Sequence, residues 1–286
     1  IFTPYKNRWH KKFRETASSG IRRNNKLPDN YYTASYPFPT LGDIGFKKSS
    51  LVVRPYELSV IPGYEKYRDL PAEDKTSYLS PHLRFGTISI RKLVAKAIME
   101  NITFLNELIW REFFMQILFH FPSVVTGNFK PVYDNILWRN DEKEFERWCR
   151  GETGYPMVDA GMRQLNETGW MHNRARMIVS GFLCKDLLVD WRWGEAYFAE
   201  KLLDYELSSN NGNWQWAAGT GCDAAPYFRV FNPETQQKRF DPRNEYVRKW
   251  VPESDKPSYS KKIVDHDFAR LRAIEAYKSG IKRRLS

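Results

Sequence analysis

Residues 88–121 read ISIRKLVAKAIMENITFLNELIWREFFMQILFHF, and this stretch decides the fold class. Its apolar residues recur at the three- and four-residue spacing of one helix face over 88–100 and again over 104–121, and Pro122 ends the pattern. Strand-like alternation is almost absent from the whole sequence. The stretch therefore predicts two core helices and an all-α domain.

Outside this stretch, helical spacing predicts further helices between loop-rich ends. The predicted helices are 141–150, 156–168, 172–188, 194–204 and 268–279, with one short basic helix near 5–15. Prolines from Pro28 to Pro62 break the early segment, and a basic tail at 282–284 ends the chain. We interpret residues 1–286 as one domain, with a loop-rich entry (1–75), a helical core (76–225) and a loop-rich closing segment with a terminal helix (226–286).

Composition limits the function. The chain has 286 residues, 42% of them hydrophobic and 15% aromatic, which excludes a disordered protein. Its 45 Lys and Arg against 34 Asp and Glu give a net charge of +11, which favours nucleic acid as partner and, second, an anionic membrane surface. No apolar run approaches the length of a membrane span, so we expect a soluble protein. The chain begins at Ile1 without a leader pattern, and we expect no signal peptide and a possible fragment.

Cysteine and histidine placement argues against metal chemistry. Cys149, Cys184 and Cys222 are odd in number and lack Cys-x-x-Cys spacing, which predicts neither a disulfide framework nor a zinc site and fits a reducing compartment. No carboxylate or cysteine stands at ligand spacing beside the histidines. The sequence also lacks a glycine-rich phosphate loop and a Gly-x-Ser-x-Gly elbow.

Two helical stripes mix polar and aromatic residues in a way that indicates a site. Glu107, Trp110 and Arg111 share one face at i, i+3 and i+4, although an intrahelical Glu107–Arg111 pair covered by the indole explains them equally well. The second stripe is expected to consist of Trp170, Asn173, Arg174 and Met177.

Two further sequence features, a tryptophan pair and a hydroxyl cluster, each have a structural and a ligand-binding explanation. Trp214 and Trp216 are two residues apart, cannot share a helix face, and serve either packing or stacking on a planar ligand. Thr76, Ser77 and Ser80, with Pro81 suited to the first helical position, indicate either an anion site at a helix start or a simple N-cap.

Six separate stretches resemble the photolyase/cryptochrome family. They are TSYLSPHLRFG (76–86), NELIWREF (106–113), GYPMVD (154–159), GWMHNR (169–174), NNGNWQWAA (210–218) and DAAPYFRVFN (223–232). The resemblance covers about residues 2–253 and implies the family's helical FAD-binding domain, without the family's α/β antenna domain. It leaves the antenna chromophore unknown.

The resemblance implies a bound FAD and assigns residues to it. Positions around the FAD phosphates match Tyr64, Thr76, Ser77, Leu79 and Ser80. Positions around the ribityl, adenosine and isoalloxazine parts match Glu107, Arg176, Asp204, Glu206, Asn210 and Asn211, with an Arg176–Asp204 ion pair expected to brace the ring.

The resemblance is strongest to class I cyclobutane pyrimidine dimer photolyases. It implies light-dependent electron transfer from reduced FAD to a dimer flipped out of DNA. The implied lesion contacts are Glu107, Asn173, Met177, Trp110 and Trp216. The implied electron-transfer chain is Trp214, Trp191 and Trp138, and the implied DNA contacts are Arg68, Trp110, Arg174, Trp216 and Arg229.

Other functions remain open at this level. A cryptochrome photoreceptor without repair activity is the main alternative, followed by a relative that acts on (6-4) photoproducts and by a helical nucleic-acid-binding module without catalysis. We expect a monomer that binds dimer-containing DNA and no membrane. The expected location is the cytoplasm of a bacterium or the nucleus of a eukaryote.

Overall fold

The structure is a computed structural model that describes residues 1–16 and 34–285, with side chains up to Arg283. Pro28 of the expected entry segment and the side chain of Arg284 in the expected basic tail lie outside the described residues. Within the described ranges every regular element is helical and no residue lies in a strand, as expected for an all-α domain.

Thirteen α-helices follow one another in the described residues. They are α1 (Phe2–Thr16), α2 (Tyr64–Tyr67), α3 (Leu79–Arg84), α4 (Ile90–Glu100), α5 (Ile102–His120), α6 (Glu142–Arg150), α7 (Pro156–Thr168), α8 (Asn173–Gly181), α9 (Trp191–Lys201), α10 (Leu207–Ala218), α11 (Pro233–Phe240), α12 (Glu245–Trp250) and α13 (His266–Leu285). Short 3₁₀ turns cover Ile61–Gly63, Pro122–Val125 and Pro131–Tyr133, and a π turn covers Phe182–Asp186.

Most expected helices form, with corrections at their ends. The expected helix 172–188 ends at Gly181 and continues as the π turn, with His172 capping its start. The expected helix 194–204 instead begins at Trp191, because the Asp190 side chain accepts a hydrogen bond from the Arg192 amide and caps it there. The terminal helix is longer than expected, and α11 and α12 lie in the segment expected to be loops.

Two large apolar clusters form the core. The first gathers buried residues of α6 to α10 and α12 around Trp148, and the second gathers α1, α3, α4 and α5 around Phe104. Helix α10 contacts α5 across the boundary, where Gly212 lies against Phe114 so closely that a Cβ at Gly212 would come within 2.1 Å of the Phe114 ring. Glycine at this position therefore permits the close approach of the two halves.

Helix α10 is stabilised by its ends and by buried amides. The Glu206 side chain accepts hydrogen bonds from the Ser208 and Ser209 amides at its start, and Gly219 ends it with a φ of 86°. Farther along, Asn211 and Gln215 both donate to the Val124 carbonyl at 3.0 Å. These contacts compensate for the poor helix propensity of its asparagine- and glycine-rich sequence.

Candidate functional site

A cleft of about 490 Å³ opens where the two apolar clusters meet, and it continues into a recess of about 110 Å³. Its walls come from α3, α5, α8 and α10 and from the loop before α10. The cleft and the recess share Asn173, Arg176, Met177, Asp204, Glu206, Ser209, Asn213 and Trp216. Together they form one continuous space within the size range of small-molecule and cofactor sites.

Glu107 places a partly buried carboxyl group on the α5 wall, with the side chain 34% exposed. Its Oε1 accepts a hydrogen bond from Arg68 Nη1 at 2.7 Å, whereas Arg111 donates to the Leu83 carbonyl at 3.3 Å. The alternative explanation by a Glu107–Arg111 pair is therefore wrong. Burial raises the pKa of Glu107, and the nearby Arg68 only partly opposes this. The carboxyl group therefore takes up a proton more readily than an exposed glutamate does.

Trp110 lines the cleft one turn after Glu107, and aromatic neighbours hold its ring. Phe2 of α1 stacks on it with ring centroids 3.6 Å apart and planes 8° from parallel, and Phe114 packs at 5.4 Å. Sequence reasoning missed Phe2. The apolar spacing of Phe2, Tyr5, Trp9 and Phe13 is the signal that could have shown that α1 packs on the domain.

The second expected stripe divides between two places. Asn173 and Met177 line the cleft, with the Asn173 amide 3.9 Å from the Met177 sulfur. Trp170 precedes the first residue of α8 and packs on Tyr78 beside a separate pocket. Arg174 points away and pairs with Asp69 at 2.6 Å. The expectation of one four-residue face is therefore wrong, because the helix begins after Trp170.

Arg176 and Asp204 form the expected ion pair. Two nearly parallel hydrogen bonds of 2.8 and 3.2 Å join the guanidinium to the carboxylate. The Asp204 side chain is only 3% exposed, and Arg176 Nε also donates to the Met171 carbonyl. Because bidentate pairs fix both partners, this pair gives the cleft a rigid polar edge.

The start of α10 places amides and a carboxylate at the recess. Burial alone would raise the pKa of Glu206, but hydrogen bonds from Ser208 and Ser209 outweigh it and hold the pKa below its usual value. The Asn210 amide nitrogen donates to the Glu195 backbone carbonyl and carboxylate at 3.0 and 2.9 Å. Within the described residues the Asn210 amide oxygen has no hydrogen-bond donor, and it therefore remains available as an acceptor.

Several expected cofactor residues do not line the cleft. Ser80 lines it, whereas Tyr64 packs on Phe104 and Thr76 borders a separate pocket of about 180 Å³. Among the described residues the buried Thr76 hydroxyl has no hydrogen-bond partner. Helix α3 begins at Leu79, which makes Pro81 its third residue and not its first. The roles of Tyr64, Thr76, Ser77, Leu79 and Asn211 at a cofactor stay predictions.

The three expected electron-transfer tryptophans all belong to or pack against the first apolar cluster. Trp214 and Trp191 are buried and Trp138 is partly buried. The Trp214 ring lies over Gly194, where a Cβ would come within 2.1 Å of the ring. Trp191 Nε1 donates to Asn128 Oδ1 at 2.9 Å, and Trp138 meets Tyr277 edge-on at 5.9 Å. Only Trp214 borders the recess.

The arginines expected to contact DNA differ in their freedom. Arg68 is paired with Glu107, and Arg174 is paired with Asp69 and stacked on Phe240. Arg229 is exposed beside Phe231. In the described part of the chain no group of three histidine, cysteine or acidic side chains is placed to hold a metal ion, and no helix has the length and apolarity to cross a membrane.

The fold and the cleft define an all-α domain with a preformed site for a large cofactor. The family described as the FAD binding domain of DNA photolyase matches residues 104–258. A deoxyribodipyrimidine photo-lyase of Escherichia coli is 40% identical over 99% of this chain and 68% of its own length. One of Vibrio cholerae is 44% identical over 77% of this chain and 52% of its own length.

Solved structures similar to this chain come from the same family as these relatives. A bacterial class III photolyase from Agrobacterium tumefaciens has a TM-score of 0.74 at 43% identity, over 78% of this chain and 53% of its own. A Synechocystis cryptochrome has a TM-score of 0.75 at 27% identity, over 96% of this chain and 68% of its own. The chain belongs to the photolyase family and contains its FAD-binding domain. It spans between about half and two thirds of the length of these relatives.

Proposed function

We propose that this chain repairs cyclobutane pyrimidine dimers in DNA, with FAD held in the cleft. One observation carries the proposal. Five residues from three separate stretches, each expected to contact the lesion, line the same cleft. They are Glu107, Trp110, Asn173, Met177 and Trp216. When bound, reduced FAD supplies the absorbed light energy and the electron that opens the dimer's ring.

The polar edge of the cleft fits the cofactor. The Arg176–Asp204 pair would support its ring system, and the Ser80 hydroxyl at the cleft wall would bind a phosphate oxygen. Asn210 is fixed by its two hydrogen bonds to Glu195, and its free amide oxygen would accept a hydrogen bond from a cofactor N–H group. These residues would bind and orient the cofactor.

The cleft also offers stacking surfaces for two flipped-out adjacent bases of one strand. Trp110 and Trp216 offer indole faces for stacking, and the Phe2 stack keeps the Trp110 ring in place before the lesion arrives. Extruding bases from a damaged pair costs less free energy than extruding them from an intact pair. Binding of extruded bases therefore favours the lesion.

Glu107 would donate or accept a hydrogen bond at the lesion's carbonyl edge. Because burial raises its pKa, the carboxyl group takes up a proton more readily than an exposed glutamate does, and when protonated it can donate to a carbonyl that gains negative charge. Arg68, bonded to the other side of the same carboxyl group, keeps it oriented toward the cleft. We further propose that Trp214, Trp191 and Trp138 carry electrons to oxidised FAD from the surface. The monomeric state and the cellular compartment stay predictions.

The experiment compares repair with binding in variants of the cleft. Protein reconstituted with FAD and chemically reduced is illuminated with a duplex oligonucleotide that contains one thymine dimer, and restored thymine is counted. We expect Glu107→Gln to keep lesion binding within about threefold while repair per absorbed photon falls severalfold. Trp216→Ala should weaken lesion binding by about 1–3 kcal/mol, and Trp250→Ala, remote from the cleft lining, should not.

The outcome distinguishes the two leading functions. Flavin binding and flavin photochemistry without any repair would contradict the proposal and favour a cryptochrome-type photoreceptor. The similarity to the Synechocystis cryptochrome along 96% of this chain makes that the second candidate.

A further inference from the structure

We propose that the solvent-facing side of α1 binds the phosphate backbone of the DNA that flanks the lesion. This inference rests on the proposed function and extends it to a surface outside residues 104–258, the range that the family match covers. We call the surface the α1 basic face and define it as Arg8, Lys11 and Lys12.

The packing of α1 places this face beside the cleft. At its first turn Phe2 stacks on Trp110, which lines the cleft. Farther along, Tyr5 packs on Phe113 at 5.2 Å, and Trp9 Nε1 donates to Glu112 at 2.7 Å. Helix α1 therefore begins at the edge of the cleft and runs away from it along α5.

The charges of α1 face solvent. At 100° per residue, Arg8, Lys11 and Lys12 fall within an arc of about 100° that flanks the packing stripe. All three are exposed, and none forms an ion pair within the described residues. The helix carries five Lys or Arg against one acidic residue, Glu15. Glu15 lies one turn after Lys11 and Lys12, so these positive charges are accessible and only partly offset.

Two of the arginines expected to contact DNA are paired with acids. Arg68 is bonded to Glu107 at 2.7 Å, and Arg174 is bonded to Asp69 with its side chain 14% exposed. Their charges are largely offset by these acids. Backbone binding requires free cations close to the cleft mouth. The α1 basic face adds such cations to Arg84 and Arg111, which line the cleft and form no ion pair within the described residues.

The dimensions of α1 match a run of phosphates. Fifteen residues at about 1.5 Å each give a helix of about 21 Å from first to last Cα. The α1 basic face runs over four residue steps, about 6 Å of this length. One DNA strand carries a phosphate about every 3.4 Å of axis, so the face covers about two phosphate spacings, enough for three successive phosphates. Three contacts would add about 2.7 to the slope of log affinity against log salt, and would strengthen binding by about 10- to 500-fold at 0.1 M salt.

The test removes the three charges and keeps the helix. In the variant R8Q/K11Q/K12Q, glutamine retains the helix propensity of the residues it replaces. The control R270Q/K278Q/K282Q removes the same charge from exposed positions of α13, none of whose described residues lines the cleft. A second control, R8K/K11R/K12R, keeps the charge and changes the side chains. Helix content by circular dichroism and bound FAD confirm that each variant folds.

Affinity for dimer-containing and undamaged duplex is measured from 50 to 300 mM NaCl by fluorescence anisotropy. We expect R8Q/K11Q/K12Q to weaken binding of both duplexes by the same factor of at least tenfold at 0.1 M salt, and to reduce the salt slope by about 2–3. Both controls should retain the wild-type slope within about 0.5.

The inference and the proposed function fail in different ways. Equal affinities for R8Q/K11Q/K12Q and the α13 control, with wild-type preference for the dimer intact, would overturn the inference alone and favour an acidic protein surface as the occupant of this face. A wild-type protein that does not prefer dimer-containing DNA would contradict the proposed function itself.

Discussion

The Arg176–Asp204 pair makes a quantitative prediction about how the cleft is held together. Arg176→Met leaves the Asp204 carboxylate, 3% exposed, without its two hydrogen bonds. Removing one partner of a buried pair costs about 3–5 kcal/mol of unfolding free energy, because a charge stays buried without compensation. Asp204→Asn leaves a cation that is 25% exposed and reaches water, and we expect a smaller cost of about 1–2 kcal/mol.

The double variant isolates the interaction between the two side chains. With both changes the buried charge is gone, and the total cost should be about 2–3 kcal/mol, below the sum of the single costs by about 2 kcal/mol or more. The control is Arg150→Met, whose partner Glu152 is 2.9 Å away but whose own side chain is 53% exposed, and we expect it to cost less than about 1 kcal/mol.

Urea denaturation of the flavin-free protein, followed by tryptophan fluorescence, measures these values. A typical domain stability is about 5–15 kcal/mol, so the expected costs are a large share of it and shift the urea midpoint measurably. Additive costs for the two single variants, with a coupling below about 0.5 kcal/mol, would refute the conclusion that this pair braces the cleft.

Three further predictions concern pH, packing and electron transfer. Burial lowers the pKa of His172 from 6.5 to about 4, so the unfolded chain binds a proton that the folded chain does not, and stability should fall by about 3 kcal/mol as pH decreases from 6.5 to 4. In urea titrations at several pH values, His172→Asn, which keeps a capping side chain, should remove that decrease, and an unchanged decrease would contradict the assignment to His172. Gly212→Ala should lower the free energy of unfolding by about 1–3 kcal/mol, because the added Cβ would collide with Phe114. This loss exceeds the gain from the higher helix propensity of alanine. A stabilised variant would show that α5 and α10 separate easily. Trp191→Phe should slow light-driven reduction of bound flavin at least tenfold while chemically reduced protein still repairs, and Trp193→Phe on the same helix should not; equal rates in both variants would count against the chain.

Sequence reasoning succeeds where local signals agree with packing. Helix α7 begins at Pro156 and ends before Gly169, as expected, because proline at the first position and glycine in the left-handed region mark both ends. The expected helix 104–121 also agrees closely with the observed α5. Asn101 caps the start of this helix, and it ends at His120, before Phe121 and Pro122.

Helix α10 shows where local reasoning stops. Its sequence is rich in asparagine, serine and glycine, which have low helix propensity, and no helix is predicted there. The helix forms because Asn211 and Gln215 bond to Val124, 87 and 91 residues earlier in the chain. Contacts at that distance override propensity and are invisible in a local pattern.

The same distinction applies to the site. The residue types of the cleft were predictable from the motifs, and so was the Arg176–Asp204 pair. The partner of Glu107 was not, because Arg68 lies 39 residues away and Arg111 stands at ideal helical spacing. The α1 basic face was not predicted either. The sequence shows a short basic helix, but only the contact between Phe2 and Trp110 places that helix beside the cleft.

The central claim is that this chain restores pyrimidines from dimers by using light. The most direct measurement counts thymines restored in a dimer-containing oligonucleotide by the FAD-reconstituted, reduced protein, under blue light and in a matched dark sample. We predict multiple repaired dimers per protein molecule in the light and none in the dark. Equal counts in light and dark, from protein that carries one FAD per chain and binds the damaged duplex, would contradict it.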